Sequence, residues 1–203
     1  IEDKIRHYSS NEINGGIAFP VGISNNHIVA HYSPGNKDLD VLKENDVCCI
    51  DYGVHVNGHI IDSAFTFNLD NSYEKLLEAS YVAVHNTLKN IGVDVLLNEI
   101  SENINEIVSS YEIEENGKFK TIRAIDNVCG HNILPWIIHG GKTIYAQPEK
   151  SQENKRVEEH DVFAVEVFTS TGNGSSQLDV NIKNHSHYML KPEFKDKKIP
   201  LLG

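Results

Sequence analysis

Apolar and polar positions alternate with period two on either side of Asn57-Gly58 in the run IDYGVHVNGHIIDSAFTF. An Asn-Gly pair between β-branched, aromatic-rich segments is the strongest short-range hairpin signal, so residues 49–56 and 59–67 are predicted to pair antiparallel. A two-residue loop sets position 53 opposite 62 and 51 opposite 64. Asp51 and Asp62 then share one face, offset diagonally by roughly 7–8 Å between backbone positions. The opposite face collects Ile50, Tyr52, Val54, Val56, Ile61, Phe65 and Phe67 and is predicted to face the core. Downstream the period changes to that of a helix. Asn71 or Ser72 serves as N-cap, Tyr73, Leu77, Tyr81, Val84 and Leu88 form the apolar stripe, and Gly92 is the stop. A second helix is predicted over Leu97 to Ser109, with Ile100, Ile104, Ile107 and Val108 on one face.

Elsewhere the pattern is less regular. Residues 1–14 read as the end of a helix, residues 15–34 mix turn residues with short extended pieces, and Asn116-Gly117 marks a turn into extended chain. The segment DVFAVEVF (161–168) is apolar on both faces apart from Glu166, as in a central sheet strand. Strands, two helices and then more strands predict an α+β fold with helices on one face of a curved, mainly antiparallel sheet. At 203 residues the chain suffices for one substantial core. A net charge of -11 argues against a nucleic-acid backbone or an anionic membrane as partner. No apolar run approaches the roughly 18–20 residues that span a bilayer. Three cysteines, Cys48, Cys49 and Cys129, make neither a disulfide framework nor a cysteine-rich zinc site, and they fit a reducing cytoplasm.

The chemistry starts from the two aspartates. Ionised carboxylates on one buried face repel each other and lose hydration, so a cation is expected between them, and a hard divalent metal or a pair of them serves. A solvent-facing hairpin side with two incidental acids is the competing reading of the hairpin alone. Glu166 is the third candidate acid, against a strand-edge glutamate paired with a lysine or arginine. His131, after a glycine, is a candidate imidazole ligand. His139 and His31, taken singly, read as hydrogen-bonded core histidines. His55 and His59 have the i, i+4 spacing of a helical zinc site but straddle the hairpin turn, and His185 and His187 alternate along an expected strand. Two Asp, one His and one Glu form an oxygen-rich, sulfur-free set that suits a pair of Mn, Fe, Co or Zn ions.

In order and spacing, AHYSP, IDYG…GHIIDSAF, GHNI…IHGGK and FAVEVFTSTG resemble the methionine aminopeptidases within the creatinase or "pita-bread" metallopeptidase superfamily, and His31-Tyr32 with SHYM (186–189) resemble the type 2 branch. The resemblance spans about residues 15–190. It implies a pita-bread fold and two divalent metal ions (Mn, Co, Fe or Zn), with Asp51, Asp62, His131 and Glu166 as ligands. It implies that His31 and His139 bind the substrate peptide and help stabilise the tetrahedral intermediate, with His31 and Glu166 as catalytic groups and Glu166 as proton shuttle to the leaving amine. Phe19, Ile138 and His187 fall where that branch lines the methionine pocket. The implied activity is removal of the initiator methionine from nascent polypeptides with a small second residue. The implied setting is a cytoplasmic monomer acting on nascent N-termini, with the ribosome as a candidate partner and neither nucleic acid nor membrane.

Two departures stand against the family pattern. A fifth ligand, a glutamate in a late strand, has no counterpart before Gly203, and Glu193 in KPEFK has the wrong surroundings. The expectation is therefore one partial catalytic domain over 1–203, incomplete in its C-terminal part, binding one metal at best with weak or no turnover alone. Cys129 and Pro135-Trp136 also replace more usual residues and are expected to alter pocket shape. The competing functions are a catalytically inactive homologue that binds the ribosome, RNA or protein, and a proline-specific aminopeptidase of the same superfamily.

Overall fold

The computed structural model describes residues 1–9, 14–35, 38–179 and 187–188. Helix α1 (Glu2–Tyr8) leads into strand β1 (Gly15–Asn25), and β2 (Val47–Val56) and β3 (His59–Asn68) complete an antiparallel sheet in the order β1-β2-β3. Helices α2 (Glu74–Asn90) and α3 (Leu97–Ser109) follow. Then come two short hairpin strands, β4 (Glu112–Glu115) and β5 (Lys118–Thr121), and β6 (Arg123–Ala124). Strands β7 (Gly130–Ile133), β8 (Thr143–Ile144) and β9 (Val162–Ala164) form a second sheet in the order β8-β7-β9. Strand β10 (Thr169–Ser170) pairs with β6. Among the described residues every strand pairing is antiparallel.

The Asn57-Gly58 hairpin has the expected register: Val56 faces His59, Gly53 faces Asp62 and Asp51 faces Ala64. Both loop residues have positive φ, 51° and 80°, as a type I′ turn demands. Asn116-Gly117 repeats the device between β4 and β5, with φ of 54° and 74°. β1 is one bulged strand of 11 residues rather than short pieces; its pairing with β2 slips on either side of Phe19.

The buried side of the hairpin is the acidic one. Ile60, on the face of Asp51, Gly53 and Asp62, packs with Ile133 of β7 and Ala164 of β9, joined by Ala18 and Ile138. On the other face Val56, Ile61 and Phe65 are exposed, so that face is not the core surface expected. The alternation is symmetric between the two faces, and the packing partner chose the side.

The main core lies between the helices and the remaining strands. Leu97, Ile100, Ile104 and Val108 of α3 meet Ala79 and Ala83 of α2 together with Ile113, Ile122, Ala124 and Ile144. The α3 boundaries are those expected. In α2 the buried line is Ala79, Ala83 and Thr87, while Tyr81 and Leu88 are exposed. The alanines let the two helix axes approach closely, which the larger side chains of the expected stripe would prevent. Its start is also shifted: Tyr73 occupies the N-cap position without a side-chain cap, and the Asn68 amide oxygen accepts the Tyr73 N–H at 3.0 Å.

Segment 161–168 is not one central strand. β9 covers only Val162–Ala164, at the sheet edge, and Glu166 lies in the connection to β10.

Candidate metal and substrate site

Three elements bring three ligand types to one point. β3 supplies Asp62, β7 supplies His131 and the segment after β9 supplies Glu166, and one ligand atom from each lies within 4.8 Å of the others. His131 Nε2 stands 3.1 Å from Glu166 Oε1 and 3.7 Å from Asp62 Oδ2. Gly130, before His131, is pressed against the β9 backbone, where a Cβ would lie 2.7 Å from the Ala164 carbonyl oxygen. This close approach lets His131 and Glu166 meet. Asp51, on the same hairpin face, points a buried Oδ1 inward with no hydrogen-bond partner.

The electrostatics are those of crowded, partly buried acids. Burial, then the charges of Asp62 and Glu166, push the Asp51 carboxyl up to about 7. Burial and Glu166 push Asp62 up to about 6. Burial disfavours a charged His131, but the hydrogen bond and charge of Glu166, helped by Asp62, outweigh it and raise its affinity for a proton. A divalent cation relieves the repulsion and gives the orphaned Asp51 oxygen a partner, so the donor set fits such an ion.

The remaining candidates surround this cluster. The His139 ring meets His131 edge to face at 4.2 Å between centroids, and burial together with the His131 charge lowers its proton affinity. His31, with φ of 64°, stacks on His187 at 5.2 Å, and its charge is felt at His139. His187 is lowered by burial and by His31, and its Nδ1 lies 3.5 Å from the Ser33 hydroxyl. Phe19 pairs with Gly53, and a Cβ at Gly53 would run into the Phe19 ring, which therefore covers the strand beside Asp62. Ile138 belongs to the small cluster beneath.

Not every candidate joins. His55 and His59 lie on opposite faces of the hairpin and form no metal pair. His185, Ser186 and Met189 of the SHYM motif, and Glu193 lie outside the described residues. One supporting residue had no signal in the sequence. Asn132 is buried; its side-chain oxygen accepts the Lys142 N–H at 2.8 Å and its carbonyl accepts the Gly140 N–H at 2.8 Å. A Cβ at Gly140 would lie 2.7 Å from that amide oxygen. The pair fixes the chain on the far side of His139.

Over residues 1–184 the chain belongs to metallopeptidase family M24. Within it, the chain is similar to methionine aminopeptidase 2 of Schizosaccharomyces pombe, 46% identical over 181 residues that make up 89% of this chain and 41% of that protein. It is likewise similar to methionine aminopeptidase 2 of Debaryomyces hansenii, 44% identical over 202 residues, 98% of this chain and 47% of that protein. The chain thus spans less than half the length of these relatives. Among solved structures, methionine aminopeptidase from Rickettsia prowazekii matches with a TM-score of 0.71 over 91% of this chain and 71% of that one. At 20% identity this likeness shows the fold, which is the pita-bread arrangement expected. Among the described residues no helix is long and apolar enough to cross a membrane.

Proposed function

We propose that this chain carries the catalytic centre of a methionyl aminopeptidase that removes the initiator methionine from nascent proteins whose second residue is small. The observation that supports this reading is the convergence of Asp62, His131 and Glu166 within 4.8 Å beside the unpartnered Asp51 oxygen. In this reading Asp51, Asp62, His131 and Glu166 hold a pair of divalent ions. Such ions lower the pKa of water to near 7 and polarise the scissile carbonyl. Glu166, less buried than Asp62, accepts a proton and passes it to the leaving amine. His139, whose proton affinity is lowered by burial, donates an N–H to the developing oxyanion. His31 and His139 bind the peptide, and Phe19, Ile138 and His187 line the methionine pocket. Residues 1–203 form one partial catalytic domain, and the enzyme is a cytoplasmic monomer that meets nascent N-termini at the ribosome.

The test is release of free methionine from a Met-Ala-Ser peptide, titrated with Mn²⁺ and Co²⁺ against a chelated control, with a Xaa-Pro peptide alongside. Metal-dependent release from Met-Ala-Ser that Asp62→Ala abolishes together with metal binding is expected. Release that survives Asp62→Ala, or that favours the Xaa-Pro peptide, sinks the reading.

A further inference from the structure

Residues 134–137 form a tight turn in which Leu134 and Ile137 exchange both backbone hydrogen bonds at 2.9 Å. Pro135 takes its first central position and Trp136 its second, with φ of 64°. That position normally calls for glycine or asparagine, and a bulky side chain there is strained unless its surroundings hold it. The surroundings do so. The Trp136 N–H donates to the Gly58 carbonyl at 2.8 Å, and the indole lies on Gly58 so closely that any Cβ would collide with it. The His55 ring flanks the indole at 5.0 Å. Two turn tips, Asn57-Gly58 from the sheet of Asp51 and Asp62 and Pro135-Trp136 from the sheet of His131, are therefore clasped together.

His139 lies three residues beyond Trp136, on the returning arm of that second turn. From Trp136 the arm runs through Ile138, which packs on Ile60, to His139 against His131 and then to Gly140, held by the Asn132 carbonyl. One end of the arm is pinned by Asn132; the other is tied to the hairpin tip by the indole against Gly58 and by the Trp136 backbone N–H on the Gly58 carbonyl. We propose that Trp136 is a positioning residue that sets His139 against the metal-binding cluster by latching its arm to the hairpin of Asp62. The proposal rests on the reading of His139 as an oxyanion donor for its consequence in catalysis, while the latch itself is a matter of geometry.

The test separates the two. In the metal-free, full 203-residue chain, carbethoxylation of each histidine by diethyl pyrocarbonate is followed by peptide mass spectrometry. Trp136→Gly keeps a residue suited to positive φ and removes the indole, Gly58→Ala leaves the indole and displaces it, and Trp136→Phe keeps an aromatic ring. Expected is His139 modification accelerated about fivefold in Trp136→Gly and Gly58→Ala, as a locally opened arm allows. Trp136→Phe should stay near the parent rate, with buried His131 and exposed His160 unchanged throughout. If Gly58→Ala folds and Trp136→Gly does not, the former decides alone. An unchanged His139 rate overturns the proposal, and so does acceleration of His131 along with His139, which assigns Trp136 to the fold at large. Where methionine release is measurable, kcat falls about tenfold with Mn²⁺ affinity unchanged. A chain without release leaves the modification result valid, so failure of the function and failure of the latch are told apart.

Discussion

Replacing Asp51 with asparagine should stabilise the metal-free protein above neutral pH. Asp51 has its carboxyl raised from 3.8 to about 7, first by burial and then by the charges of Asp62 and Glu166. A folded-state value above the unfolded one means that the folded protein holds the proton more tightly, so stability falls as pH rises. The penalty is absent below about pH 4, grows through the interval up to about pH 7 and is complete above it. At 1.36 kcal/mol for each tenfold step in proton affinity, it reaches a ceiling of about 4 kcal/mol, and relaxation around the charge reduces this to about 2–3 kcal/mol. Asparagine keeps the shape and drops the charge. Urea denaturation in the presence of a chelator, followed by circular dichroism, should show Asp51→Asn more stable than the parent by about 2 kcal/mol at pH 8 and by less than about 1 kcal/mol at pH 5. Adding Mn²⁺ should reverse the order at pH 8, because the ion stabilises the carboxylate form and meets a weaker site in the variant. An equal gain at both pH values, or none at pH 8, would refute the electrostatic account.

Three further outcomes follow from packing. Gly53→Ala sets a methyl group into the Phe19 ring and should cost about 1–3 kcal/mol in thermal denaturation while weakening methionine binding measured by calorimetry. Lys142→Met removes the ammonium that bridges Asp161 at 2.5 Å and Glu158 at 2.8 Å; with Asp161 largely buried, the loss should be about 2–4 kcal/mol by urea denaturation. Ile104→Ala opens a cavity in the α2–α3 core, where Ile104 is 1% exposed, and should cost about 2–5 kcal/mol with Mn²⁺ binding retained.

The sequence by itself determined the local geometry. Asn57-Gly58 favours a turn with two positive φ angles, and the two-residue loop then sets Gly53 opposite Asp62. The boundaries of α3 are equally local, because its apolar positions recur at helical spacing and burial follows them. The candidate acids stood out for the same reason: a carboxylate on an alternating strand, or between Val165 and Val167, needs a partner. Their meeting was expected from the family resemblance, not from propensity or periodicity. Asp62, His131 and Glu166 are separated by long stretches of chain, and only the packing of Ile60 on Ile133 and Ala164, with Gly130 pressed on β9, closes the distance.

Tertiary contacts also decided where the pattern was ambiguous. Alternation in the hairpin offers two faces, one richer in large apolar side chains, yet the acidic face is buried because the β7–β9 sheet stacks on it through Ile60. In α2 the large residues suggested the buried stripe, but close approach to α3 selects Ala79 and Ala83. Asn132 and Trp136 show the limit most clearly. Each acts on residues that only tertiary packing brings near: Asn132 on the returning arm beyond His139, and Trp136 on the tip of another sheet's hairpin. Propensity and periodicity are properties of neighbours along the chain, whereas burial, orphaned charge and clasped turns arise between distant segments, so they enter only when the fold is complete.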